Sequence, residues 1–217
     1  MTLAENVMHI TQQRRSPTGQ SYGEFLRAYR FFNKRLFGGA LPDCLITLHR
    51  HRSAYGYFCG GRFLGADDRK ADEIAMNPDH LRGRPDRVSL STLVHEMAHL
   101  WQHHFGKPSR SAYHNKEWAE KMEALGLMPS STGQPGGKRT GQRVSHYIVE
   151  NGPFDAACRH LLASGFRITW GSAPSLPRMG KSGQRVKYVC GDCSATVWGK
   201  AGLHVECADC ASTMEAA

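Results

Sequence analysis

Residues 89–105, SLSTLVHEMAHLWQHHF, predict a helix that is apolar on one side and carries histidine and glutamate on the other. Ser89 or Ser91 is a competent N-cap, and Gly106 with Pro108 ends the segment. His95, Glu96 and His99 lie about 140°, 240° and 180° from Leu90 on a helical wheel and point away from the apolar arc. We assign that arc to the core: Leu90, Leu93, Val94, Met97, Ala98, Trp101 and Phe105.

The run His95-Glu96-Met97-Ala98-His99 has the spacing of a zinc-hydrolase motif. Histidines at i and i+4 stack on one side of a helix and offer two imidazoles to one zinc ion. The glutamate between them sits near the open coordination position, where it can take a proton from water and hand it to a leaving amine. We therefore expect His95 and His99 to be zinc ligands and Glu96 to be the general base.

A catalytic zinc needs a third protein ligand. A metzincin would place glycine at position 102 and histidine at position 105, and Gln102 with Phe105 excludes that class. A gluzincin would use a glutamate of the next predicted helix, residues 116–125, where three candidates occur: Glu117, Glu120 and Glu123. The remaining candidate is His114, immediately before that helix.

The chain resembles the SprT-like zinc metallopeptidases, which include the Spartan DNA–protein crosslink proteases. That family follows HExxH with a third histidine about fifteen residues on, inside a His-x-x-Glu-aromatic signature, which residues 114–118, HNKEW, match. Residues 31–42, FFNKRLFGGALP, are similar to the family's opening helix, and the resemblance covers roughly residues 22–165. It implies His95, His99 and His114 as zinc ligands and Glu96 as the catalytic residue.

The expected architecture is α+β, a zincin-like metallopeptidase domain of helices packed on a small antiparallel sheet, followed by a small zinc ribbon. Further helices are predicted at residues 22–37 and 154–164, and strands at 44–49, 55–58 and 74–77. The resemblance implies that strand 74–77 is an edge strand above the metal that pairs with extended substrate. We expect a disordered tail (1–20), the metallopeptidase domain (21–170), a linker (171–184) and the ribbon (185–213).

Four of the seven cysteines form two pairs with the spacing of a zinc ribbon: Cys190, Cys193, Cys207 and Cys210. The segments 186–189 and 196–198 are β-prone flanks of a hairpin. A thioredoxin-like redox pair is the alternative, and the presence of two pairs without a βαβ context argues against it. We therefore expect two Zn2+ ions, one catalytic and one structural, and a ribbon that does not fold without its metal.

Lysine and arginine outnumber aspartate and glutamate by 28 to 19, a formal charge of +9. Such an excess favours polyanionic partners, above all nucleic acid, and the alternative is a generally basic surface with no dedicated partner. The ribbon offers a basic surface and a tryptophan that can stack on a base: Lys181, Arg185, Lys187, Lys200 and Trp198. A second basic group lies on the glycine-rich loop of residues 130–143 and is a candidate phosphate contact: Lys138, Arg139 and Arg143. Neither a membrane span nor a signal peptide is recognisable, so we expect a cytoplasmic protein without membrane contact.

The function expected from these features is zinc-dependent endopeptidase activity on a protein or peptide substrate, with DNA-bound or DNA-crosslinked protein in DNA repair as the expected target. Two alternatives remain, a nucleic-acid-binding zinc protein with an inactive or regulatory peptidase site and a metal-dependent amidohydrolase of a small substrate. Glu117 is a candidate to orient a ligand histidine, and Tyr147 a candidate oxyanion donor. His103 is expected to be a solvated histidine facing the cleft, and His104 a structural residue inside the core arc.

Overall fold

The computed structural model describes residues 16–110, 112–173 and 185–217. These residues belong to two compact units that divide after residue 173. The first unit contains both helices and small sheets, which confirms the predicted α+β class. The predicted tail up to residue 15 and the linker from residue 174 lie outside the described residues.

The first unit contains four described helices, α1 (Pro17–Leu36), α2 (Asp86–Phe105), α3 (Lys116–Ala124) and α4 (Pro153–Ala163). α1 begins inside the predicted disordered tail, because Ser16 accepts a hydrogen bond from the Gly19 amide and Pro17 occupies the first turn. α2 begins at Asp86 behind Pro85, so the prediction of a cap at Ser89 or Ser91 is wrong. Both serines are buried inside the helix.

The sheet of the first unit consists of β1 (Leu45–Leu48), β2 (Gly56–Leu64) and β3 (Lys70–Met76), in the order β1-β3-β2. β1 is parallel to β3 and β2 is antiparallel to it, so the sheet is mixed and not wholly antiparallel as predicted. The prediction of an edge strand at residues 74–77 is also wrong. Ile74, Ala75 and Met76 are all buried, since both faces of β3 are covered, and this strand takes the centre of the sheet.

The edge strand nearest the predicted motif is β2, which is paired within the sheet with β3 alone. α2 packs against β2, β3, α1, α3 and α4 and therefore passes through the middle of the core. A short antiparallel pair, β4 (Leu127–Ser130) and β5 (Ser145–Ile148), follows α3. The largest side chains of this core are fully buried: Trp118, Tyr29, Phe25, Phe32, Phe154 and Phe166.

The second unit is a set of short strands around a small core. Its strands are β6 (Arg185–Val189), β7 (Thr196–Lys200), β8 (Glu206–Cys207), β9 (Ser212–Thr213) and β10 (Glu215–Ala216). β6 pairs with β7 and β10, and β8 pairs with β9. Its buried residues are Tyr188, Cys190, Cys207 and Met214. Among the described helices of the whole chain, none combines the length and the apolar character needed to span a bilayer.

Candidate metal centre

The middle of α2 is buried on nearly all sides. Leu90, Leu93 and Met97 face the core as predicted. His95 and Glu96 lie on the other side and are also buried: Trp118 of α3 and His146 of β5 contact His95, and Gly56 of β2 lies against Glu96. Phe105, which the helical wheel predicted to be a core residue, is 54% exposed because the last turn of α2 extends beyond the core.

Three histidines, two from α2 and one from the segment before α3, converge next to Glu96 of α2. His95 and His99 come from α2, and His114 lies two residues before α3. Each offers a nitrogen atom, and these three atoms lie within 4.8 Å of one another. His114 is held in place by its backbone, whose N–H and C=O both bond to Gly141, at 2.8 and 3.0 Å. The structure thus brings together all three histidines that the sequence singled out.

Trp118 forms the floor of this cluster. Its fully buried ring lies 4.8 Å from the His95 ring, 5.0 Å from His99 and 4.3 Å from His114, measured between centroids. The ring of His99 stacks on it almost in parallel. Because one rigid indole touches all three imidazoles, it limits the directions in which they can turn.

His146 of β5 also contacts the cluster, although no motif or spacing in the sequence distinguishes it from the other histidines. Its Nδ1 lies 3.1 Å from the Nδ1 of His95, and its Nε2 lies 2.9 Å from the Ser91 hydroxyl. The Ser91 hydroxyl donates its one proton to the carbonyl of Val88, at 2.9 Å. With the hydroxyl proton assigned to that bond, Ser91 accepts from the Nε2–H of His146, and the Nδ1 of neutral His146 is assigned as an acceptor.

This direction of hydrogen bonding fixes which ring nitrogens carry protons. His95 donates its Nδ1–H to His146, so the lone pair of its Nε2 is free. His114 donates its Nδ1–H to the Gly141 carbonyl at 3.1 Å, and its Nε2 is free as well. Both ring nitrogens of His146 take part in hydrogen bonds, one to His95 and one to Ser91, so neither is free to bind a metal ion.

Burial keeps the clustered histidines uncharged. Desolvation, together with the neighbouring imidazoles, lowers the pKa of His95 well below its usual value and that of His99 to about 3. Desolvation also lowers the pKa of His114. Neutral imidazole is the form that binds a metal ion, so the three residues are ready donors at neutral pH.

Glu96 lies beside the cluster, where burial raises the pKa of its carboxyl to about 8. A cation held by the histidines would counter that shift, because an opposite charge favours the ionised form. Gly56, the first residue of β2, sits directly over this side chain. A β-carbon there would come within 3.3 Å of the Glu96 Oε1 and 2.8 Å of the Ala75 carbonyl oxygen, so a larger residue would not fit without displacement.

The three glutamates considered as alternative ligands are engaged elsewhere. Glu117 accepts hydrogen bonds from the Gln102 side chain at 2.8 Å and the Lys107 amide at 2.7 Å. Its predicted role in orienting a ligand histidine directly is wrong, since its partner is Gln102 at the far end of α2. Glu120 pairs with Lys116, and Glu123 with Arg139.

Gln102 also donates to the Asn115 side chain, at 2.7 Å. Asn115 in turn caps α3 by accepting a bond from the Trp118 amide at 3.0 Å. The buried Gln102 therefore ties the start of α3 to α2 and so fixes the distance between His114 and the helical histidines.

His103 and His104, at the end of α2, face the buried carboxylate of Asp72. His104 bonds to it at 2.6 Å, and its half-exposed ring corrects the prediction of a core residue. The His103 ring packs against Phe58 and lies 4.0 Å from the same carboxylate. The Asp72 oxygens already accept bonds from His104 and the Gly61 amide, so this group clamps the helix end to the sheet.

The four paired cysteines form a second cluster, in which the sulfur atoms lie within 4.8 Å of one another. Cys193 and Cys207 bring their Sγ atoms to 3.6 Å. The Ser212 hydroxyl, 3.3 Å from the Cys190 Sγ, is the main cause that lowers the pKa of this thiol to about 6. Four sulfur donors at this spacing, of which Cys190 ionises most readily to the thiolate, are compatible with a bound zinc ion.

Residues 26–138 match the SprT-like family, a stretch of just over half of the chain. A Salmonella typhimurium protein described as an uncharacterized protein in the mucB 3' region is 51% identical over 51 residues, which are 24% of this chain and 69% of that protein. No solved structure matches the chain. The family match includes His95 and His99 of α2 and also His114.

Proposed function

The chain belongs to the SprT-like family, and we propose from this that it is a zinc-dependent endopeptidase with His95, His99 and His114 as ligands. The observation that carries the proposal is the convergence of three neutral imidazoles beside a buried glutamate. Three nitrogen donors leave a fourth position open in a tetrahedral site, which is the arrangement of catalytic zinc. When bound, zinc would polarise a substrate carbonyl and lower the pKa of water.

Glu96 would act as the proton carrier of the reaction. As a carboxylate it takes a proton from the attacking water while the oxygen of that water bonds to the carbonyl carbon. It then passes this proton to the nitrogen as the C–N bond breaks, which releases the amine. Its position on α2, one residue after His95, supports this role because the side chain is held by a buried, well-packed helix.

β2 would hold the substrate in an extended conformation. Its outer edge is unpaired within the sheet, and its first residue, Gly56, lies against Glu96. A peptide added to this edge by main-chain hydrogen bonds would pass over the catalytic carboxylate. Such binding tolerates many sequences, and Tyr147 remains a proposed oxyanion donor near this path.

The second unit is proposed to hold a structural zinc through Cys190, Cys193, Cys207 and Cys210. One face of its β6–β7 hairpin fits DNA, since Lys187 pairs with Trp198 and Arg185 with Lys200, and directly paired residues share a face. Trp198 is 64% exposed and can stack on an unpaired base. Lys181 of this predicted surface lies outside the described residues. We propose DNA-bound or DNA-crosslinked protein as the substrate, in keeping with the formal charge of +9.

The test compares wild type with Glu96→Gln on a protein crosslinked to single-stranded DNA and on the same protein free. Wild type should cleave the conjugate and Glu96→Gln should not, because the amide cannot accept the proton. Equal cleavage by both would refute the mechanism. Cleavage of both substrates at the same rate would refute only the coupling to DNA, and DNA binding without any cleavage would favour a binding protein with an inactive site.

A further inference from the structure

A cavity of about 240 Å³ lies next to the three-histidine cluster along α2. Its walls come from the first turns of α2, through Ser91 and Thr92, from Tyr147 of β5, and from Tyr55 just before β2. Thr92 precedes Glu96 by one helical turn, a distance of roughly 6 Å along the axis. The cavity therefore opens beside the catalytic centre and not at a remote surface.

His146 joins the cavity to the metal centre, because it lines the cavity and bonds to His95. β2, whose outer edge is unpaired within the sheet, begins directly after Tyr55, which lines the cavity. An extended peptide advances about 3.3 Å per residue. A peptide that lies along this edge with its scissile bond at Glu96 would thus bring a side chain to the cavity within about two residues of that bond.

Arg84 gives the cavity its charge. Its guanidinium carbon lies 4.2 Å from the centre of the Tyr55 ring, so the planar group is held over the aromatic face. The side chain is half-buried, and desolvation lowers its pKa. In the described part of the chain no carboxylate lies within ion-pair distance of it, and no acidic residue lines the cavity.

Arg87, which also lines the cavity, makes the contrast clear. It binds Glu150 and Asp155, each at 2.8 Å, so its charge is already neutralised. Of the two arginines, only Arg84 has a partly desolvated guanidinium without a carboxylate partner among the described residues. A guanidinium can bind a carboxylate in a bidentate geometry.

We propose that this cavity is a substrate subsite that receives a glutamate or aspartate side chain from within about two residues of the scissile bond, and that Arg84 binds its carboxylate. The inference rests on the peptidase function proposed above. The volume favours one amino-acid side chain, since it is below the roughly 300–1,000 Å³ of pockets that hold whole small molecules. The stacking of Arg84 on Tyr55 fixes the guanidinium before substrate arrives.

The test digests a random peptide mixture with full-length zinc-loaded protein and reads the cleavage sites by mass spectrometry. Wild type should enrich acidic residues at one position near the scissile bond by about 10- to 100-fold over glutamine, the range for a hydrogen bond to a charged group. Arg84→Gln should bring this ratio near one, and Arg84→Glu should shift the preference to lysine or arginine. Arg82→Gln, a matched change two residues away and outside the lining, should keep the wild-type preference.

A binding measurement accompanies the digestion. Glu96→Gln should bind a glutamate-containing peptide more tightly than its glutamine counterpart, and Glu96→Gln with Arg84→Gln should not discriminate. Cleavage by wild type without any acidic preference would overturn the subsite and leave the peptidase intact. An unchanged peptide preference in Arg84→Gln, with a loss of DNA affinity, would overturn it in favour of a phosphate contact. Absence of all cleavage by wild type, with the discrimination in binding preserved, would refute the peptidase function while supporting the subsite.

Discussion

Replacement of His146 by phenylalanine is predicted to weaken zinc binding at the three histidines although it removes no ligand. The aromatic ring preserves most of the buried volume next to Ser91 and His95. It removes the Nδ1 acceptor that lies 3.1 Å from the His95 Nδ1. His95 is then free to carry its proton on Nε2, the nitrogen that has to be unprotonated to bind zinc.

The size of the effect follows from the lost hydrogen bond. A buried donor without a partner costs about 1–3 kcal/mol, and each 1.36 kcal/mol is tenfold in affinity. Changes to such partners of metal ligands typically cost about 10- to 100-fold in affinity. We expect the zinc Kd of His146→Phe to rise by that factor. His146→Gln should lose less, because its amide oxygen can still accept from His95.

The assay is competition with a chelator of known affinity, on the full-length protein. The four-cysteine site of the same chain is the internal reference, and its zinc should be released at the wild-type chelator concentration. ¹⁵N NMR of the zinc-free histidine site reports the tautomer directly and should find the His95 proton on Nδ1 in wild type. A zinc Kd within about twofold of wild type in a folded His146→Phe protein, or a wild-type His95 proton on Nε2, would refute this reasoning.

Two further predictions concern stability. Trp118→Ala should lower the free energy of unfolding in urea by about 3–5 kcal/mol, because it leaves a cavity beside the three imidazoles. Trp198→Ala, at an exposed position, should change it by less than about 0.5 kcal/mol. Similar losses in both variants would contradict the packing role of Trp118. Burial alone would raise the pKa of Asp155, but hydrogen bonds from the Asn151 amide and Arg87 outweigh it and lower the pKa. The stability from Asp155 is therefore present above its unfolded pKa, near 3.9, and is lost as pH falls through the lower folded value. The Tm difference between wild type and Asp155→Asn should hold from pH 8 to about pH 5 and shrink below about pH 4, and a difference that widens in acid would contradict it.

The helix of the motif could be predicted from the sequence because its signals are local. The i, i+4 spacing of His95 and His99 is a property of any helix, and the position of His114 followed from a short signature at a fixed distance. Strands formed at all three predicted segments, but β2 continues to Leu64, six residues past its predicted end, and β3 begins at Lys70, four residues before its predicted start. The start of α2 was misplaced because Pro85 and Asp86, and not the serines, set its first turn.

The parts that could not be predicted depend on contacts between distant segments. His146 and His95 are 51 residues apart in the sequence and come into contact because β5 pairs with β4, a pairing that no sequence periodicity predicts. The central place of β3 depends on β1 joining it in parallel, which is a choice of topology and not of local pattern. Arg87 has two carboxylate partners, whereas Arg84 has none among the described residues and stacks on Tyr55 instead, and only the tertiary structure decides this difference.

The most direct test of the central proposal is the zinc content of purified full-length protein, measured by elemental analysis. Wild type should contain about two zinc ions per chain, His114→Ala about one, and Cys190→Ser with Cys193→Ser about one, because the three-histidine group and the four-cysteine group share no ligand. Retention of the wild-type zinc content by His114→Ala would contradict the three-histidine site.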